Sequence, residues 1–154
     1  MSNLKGIVLA IELATRQRDQ SAQVSAKARR ALEFARDQMA QLQSYAGDTD
    51  ARWTGSASVA RSGELIRHHY QFMDRLQQAI ALQTGAINAA VFQVEQADKA
   101  LLQAEFRLAG LNQVLKARQA ALDVIQRRRD QRQTDEFASM QHARAKAQSM
   151  NGEA

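Results

Sequence analysis

The sequence predicts an all-α protein, an antiparallel two-helix coiled-coil hairpin in which the second helix is the longer. Three observations lead there. The 154 residues include no Pro, few Gly and only 5% aromatics, a mix rich in Ala, Gln, Leu and Arg that favours long helices. An apolar residue recurs at every seventh position from Ile66 to Leu122. The residues that break helices gather in one place, "AGDTDARWTGSAS", Ala46 to Ser58. Strand-building Val, Thr, Tyr and Trp are scarce, so no sheet is expected. The few aromatics cannot fill a wide globular core but can line a narrow seam.

The first helix is predicted over about residues 3–45. Leu4, Ile7, Ile11 and Ala14 begin an apolar seam, and Ala28, Leu32, Ala35, Met39 and Leu42 continue it. Arg18, Ser21 and Ser25 interrupt it, with Val24 expected to compensate through a local shift of register. Gly6 costs the first turn about 1 kcal/mol, so fraying is expected there. The turn is predicted over about 46–58. Gly47 and Gly55 relieve backbone strain, and Asp48, Thr49, Asp50 and Thr54 bond locally to turn backbone.

The second helix is predicted over about 59–147, with Ser58 or Ser62 as N-cap and "SMNGEA" as a frayed tail. Its seam is the clearest signal in the chain. Ile66, Met73, Ile80, Ile87, Val94, Leu101, Leu108, Leu115 and Leu122 recur at strict sevens. At 45% apolar composition, nine consecutive hits are roughly a one-in-a-thousand draw for any one register. A companion row three residues on is His69, Leu76, Gln83, Ala90, Ala97, Ala104, Leu111, Arg118 and Ile125, small in the middle where helices approach closely. A strict seven-residue repeat implies a left-handed supercoil.

One domain is expected, residues 1–154. A turn centred near residue 53 pairs residue 4 with about residue 102, leaving Leu108, Leu111, Leu115, Leu122 and Ile125 beyond the end of helix one. An apolar stripe without a partner inside the chain predicts one outside it. A second row, Phe72, Ala79 and Ala86, runs beside the seam. Either Phe72 folds over the seam as ordinary core, or Phe72 and Ala79 stay exposed as a docking surface with Leu65 extending the patch.

The net charge of +5 is local. Nine cations and four carboxylates lie between Arg107 and Lys146, and the rest of the chain is balanced. Such a stripe suits an acidic protein, nucleic acid or an anionic membrane, or is simply a solvated helix face.

The chemistry of an enzyme is missing. Without Cys there is no disulfide or thiolate site. His68 and His69 are adjacent and point about 100° apart on a helix, a poor metal pair. No Gly-rich phosphate loop and no nucleophile–base set is present. "MSNLKGIVLAIELATRQRDQ" does not read as a signal peptide, because Glu12 interrupts its apolar patch. No cofactor is expected.

Three blocks carry a resemblance. "LAIELATRQRDQSAQ" (Leu9 to Gln23), "YQFMDRLQQAIALQ" (Tyr70 to Gln83) and "QRRRDQRQTDEFA" (Gln126 to Ala138) resemble, in order and spacing, the opening, central and closing blocks of the flagellar export protein FliJ family. The resemblance implies a soluble, non-enzymatic component of the bacterial flagellar type III export apparatus, cytoplasmic and peripheral at the inner membrane. It implies a coiled coil similar to the stalk of rotary ATPases. The implied partners are the export ATPase FliI, the export-gate protein FlhA and flagellar export chaperones. Gate-binding positions of the family map onto Phe72, Leu76 and Ala79, with Gln83 where some members carry His. The ends of the hairpin would enter the ATPase ring, Leu115, Leu122 and Ile125 giving apolar contact and Arg127, Arg128, Arg129 and Arg132 charge. Weak self-association through the overhang is a further expectation. The alternatives are a basic coiled coil that binds nucleic acid or anionic membrane, and the equivalent stalk of a virulence-type secretion system.

Overall fold

The computed structural model describes residues 2–55 and 61–152. They form two helices, α1 (Ser2–Gly55) and α2 (Gly63–Gly152), and no strand occurs among the described residues. α2 has 90 residues against 54 in α1. The fold is the predicted two-helix hairpin with a longer second helix. Ser62 caps α2: its hydroxyl accepts the Leu65 N–H and its carbonyl the Ile66 N–H, both at 3.1 Å. This satisfies donors that a helix start otherwise leaves open. Ser58, the other predicted cap, lies outside the described residues.

α1 ends later than predicted. Residues 46–55, read from sequence as turn, are its last turns. No described residue has a positive φ, so Gly47 and Gly55 are not used for the conformation that only Gly adopts freely. Thr54 turns its hydroxyl back to the carbonyls of Asp50 and Ala51 at 2.9 and 3.1 Å, a contact compatible with helix. The cause is tertiary. Ala46 is buried and Thr49 and Trp53 are half-buried, so the seam continues at alternating spacings of three and four. Each turn-forming residue disfavours helix by less than about 1 kcal/mol, which packing outweighs. Gly6 likewise stands inside α1.

The chain divides into two compact units, residues 14–106 and residues 1–13 with 107–154. In the first, α1 and α2 run antiparallel. Trp53 meets His69 and Ser25 meets Asp98, so the turn is centred near residue 61 rather than near 53. From Met73 on, α2 buries the predicted seam: Leu76 and Ala97 are buried, and Met73, Ile80, Ile87, Val94 and Leu101 are half-buried, while Ile66, the first predicted seam residue, is 37% exposed. α1 keeps one register throughout. The expected shift at Val24 does not occur: Val24 is 58% exposed and Ser25 is 5% exposed. Ser25 is tolerated because its hydroxyl reaches Asp98 at 2.7 Å, which removes the penalty for burying an unpaired polar group.

In the second unit, Ile7 and Leu108 are buried, and Leu4, Ile11, Leu111 and Leu115 are half-buried. From 116 to 152 every residue is exposed. This corrects the expected overhang. Leu108, Leu111 and Leu115, expected to lie beyond helix one, are covered. Within this unit the covered stretch reaches residue 115, where the sequence placed its end near 102. Leu122 and Ile125 remain exposed, at 45% and 47%.

Candidate functional site

The residues singled out from the sequence fall on two surfaces. The first is the row beside the seam on α2. Phe72 is 39% exposed, and its ring meets Tyr45 edge-on, with centroids 5.8 Å apart and planes at 76°. This geometry suits the ring quadrupoles, and it steadies Phe72 without hiding it. Leu65, one heptad earlier, is 51% exposed. Ala79, expected in the docking alternative to stay exposed, is instead half-buried, because it stands next to the seam residue Ile80 and three positions from buried Leu76. The other two residues of this group face inward. Leu76 is buried, as its seam position requires. Gln83 is half-buried and donates its amide to the Ala35 carbonyl at 2.7 Å and to Gln38 Oε1 at 3.3 Å. The stripe Phe72, Leu76, Ala79, Gln83 is therefore a mixture: Phe72 presents surface, while Leu76 and Gln83 hold α2 to α1.

The second surface is α2 beyond residue 115. Leu122, Ile125, Arg127, Arg128, Arg129 and Arg132 are all exposed, and Leu115 is half-buried at its root. Two of the carboxylates here are engaged locally. Gln126 donates to Asp130 at 3.2 Å and Gln131 to Asp135 at 3.0 Å. Neither Asp pairs with an arginine of the run among the described residues.

Sequence reasoning missed a cluster at the loop end of the first unit. The Trp53 and His69 rings stack, with centroids 3.8 Å apart and planes within 1°. The Arg61 guanidinium carbon lies 3.7 Å from the Trp53 ring centroid, and Arg61 also donates to the Trp53 carbonyl. Two groups so close to one ring cannot share a face, so the indole is held between imidazole and guanidinium. The signal available was a lone Trp in a supposed turn, with His68 and His69 soon after it at the start of the next helix. His69 is thus a stacking residue. No group of three His, Cys, Asp or Glu that could hold a metal occurs among the described residues. Also missed were Leu82, Phe92, Leu102 and Phe106, outward-facing and 78%, 55%, 53% and 69% exposed, on a helix that carries no charge from Leu76 to Val94.

No described helix is long and apolar enough to cross a membrane. No curated protein matches this chain. The family model described as flagellar FliJ protein matches residues 9–147, a span that includes both surfaces and nearly all of both helices. The chain belongs to the flagellar FliJ protein family and is a component of flagellar protein export.

Proposed function

We propose that this chain is the coiled-coil stalk of the export apparatus. It binds the export ATPase FliI through α2 beyond residue 115 and the export gate FlhA through the row around Phe72, and it escorts export chaperones. It does no chemistry of its own and sits at the cytoplasmic face of the inner membrane only through the gate. The observation that carries this reading is the uninterrupted run of exposed helix from 116 to 152. A helix of this length gains most of its stability from packing, not propensity. An apolar and basic example left uncovered is surface suited to another protein.

At the gate surface the reading narrows to Phe72, with Leu65 and Ala79 beside it. Leu76 and Gln83 act there by fixing the backbone that presents Phe72. At the ATPase surface, Leu122 and Ile125 supply apolar contact, with Leu115 at the edge, and Arg127, Arg128, Arg129 and Arg132 supply charge.

The test is co-purification from a flagellated cell with this chain as bait. Recovery of the ATPase and the gate protein is expected, with Phe72→Ala losing the gate and keeping the ATPase. Recovery of neither from a cell that is assembling flagella would end the reading.

A further inference from the structure

The seam of α2 does not stop where its partner does. Its two rows continue down the exposed helix at the same sevens. One runs Leu108, Leu115, Leu122, Arg129, Glu136, and the other Leu111, Arg118, Ile125, Arg132, Ser139, Lys146. Up to residue 115 these positions are covered within the unit of residues 1–13 and 107–154; beyond it they are exposed on the same unbroken helix. The basic residues of the tail thus fall on two faces. Arg118, Arg129, Arg132 and Lys146 stand on the seam rows, opposed there only by Glu136, Arg128 flanks them, and Lys116, Arg127 and Arg144 stand on the outer side. Arg118, Arg129 and Arg132 have no hydrogen bond or ion pair among the described residues.

From this continuity and this charge we infer that the seam face of α2 from Leu115 to Lys146 takes a helix of a partner protein, amphipathic and acidic. Its apolar residues cover Leu122 and Ile125, and its carboxylates meet Arg118, Arg129 and Arg132. The partner's helix occupies the place along α2 that the start of α1 occupies before residue 115. A second copy of this chain does not fit, since it would bring the same basic rows against themselves. A polyanion without helical register would feel both faces alike. The inference rests on the ATPase-binding reading only for the location of the surface; it specifies the face and the chemistry of what lies on it.

The experiment uses the full chain and a synthetic helical peptide of about 30 residues, enough to span the face at 1.5 Å per residue. The peptide carries Leu on its seam rows and Glu opposite the three arginines. A second peptide has Gln in place of Glu, and a DNA duplex serves as a polyanion. Binding is measured at about 150 mM salt, where exposed charges are screened beyond about 8 Å, for the wild type, for Arg129→Gln with Arg132→Gln, and for Lys116→Gln with Arg144→Gln, which removes the same charge from the outer side. All three are checked for unchanged helicity. The Glu peptide is expected to bind at least about tenfold tighter than the Gln peptide. The seam variant should lose about tenfold and the outer variant less than about threefold. Equal losses in the two variants, equal binding of the two peptides, or a duplex that binds tighter than the Glu peptide with the same dependence on Arg129 and Arg132 would overturn the inference. Peptide binding in a chain that recovers no ATPase from cells would sink the stalk reading alone; the reverse would sink this one alone.

Discussion

Ser25 on α1 donates its hydroxyl to one oxygen of Asp98 on α2 at 2.7 Å, and Arg29 holds the other oxygen at 2.6 Å. Ser25 is buried in the seam, whereas the Arg29 and Asp98 side chains are 62% and 39% exposed. The bond favours the observed register over its neighbours. Sliding α1 by a heptad one way sets Ser25 opposite Val91, which offers no polar partner. Sliding it the other way offers Glu105 but brings the seam residue Leu32 against the Asp98 carboxylate. Buried polar positions of this kind set register in coiled coils at some cost in stability.

Removing Asp98 should therefore cost more than the ion pair alone is worth. Asp98→Ala leaves the Ser25 hydroxyl buried without its partner and should destabilise by about 1–3 kcal/mol. Arg29→Ala breaks a solvent-screened pair and should cost under about 1 kcal/mol. Adding Ser25→Ala to Asp98→Ala should recover much of the loss. Urea melts followed by circular dichroism give all of these values; a double mutant no more stable than Asp98→Ala would show that Ser25 is not the group left stranded.

Leu76 and Phe72 are four residues apart and should behave oppositely. Leu76→Ala opens a void in the seam and should cost about 2–4 kcal/mol. Phe72→Ala removes a ring that touches Tyr45 but is 39% exposed, and should cost about 1 kcal/mol. Loss of gate binding in Phe72→Ala with its melt nearly intact is the expected pattern. A Phe72→Ala melt that falls as far as that of Leu76→Ala would make Phe72 core.

These contrasts mark how far the sequence was legible. The α2 seam could be read from Met73 to Leu115, because nine consecutive apolar sevens leave one register; its two end members, Ile66 and Leu122, are exposed. The α1 seam could not be read through Ser25, because its polarity is explained by Asp98, a residue 73 positions away. The turn was misplaced for a similar reason. Gly47, Asp48 and Asp50 carry turn propensity, but the packing of Ala46 and the stacking of Trp53 on His69 carry the helix through them. Read from sequence, Leu108, Leu111 and Leu115 lay beyond the end of helix one; in the structure they are covered within their own unit. At the candidate surfaces, the spacing placed Phe72 beside the seam and the charge count drew out the arginines, their proposed roles came from the family resemblance, and the covered side of Gln83 emerged only with its bond to Ala35.

The loop-end stack offers an optical check, since Trp53 is the only Trp in the chain. His69→Ala should raise the exposure of the indole, shift its emission to longer wavelength and cost about 1 kcal/mol. Unchanged emission would mean that the imidazole does not cover the ring in solution.

ATPase binding should weaken as salt rises from about 50 to 500 mM, because exposed charges are screened over a Debye length that falls from about 10 Å near 0.1 M to 3 Å at 1 M. Arg129→Gln with Arg132→Gln should flatten that dependence. Affinity indifferent to salt would leave Leu122 and Ile125 as the whole of the contact.

The central claim is that the intrachain seam ends at residue 115 and that α2 continues from there without a partner. Amide hydrogen exchange on the isolated chain tests it most directly, because protection follows packing. Slow exchange should run along both helices as far as Leu115, with fast exchange from 116 to 152. Protection ending near residue 102, or persisting through Leu122, Ile125 and Arg132 in the free chain, would contradict it.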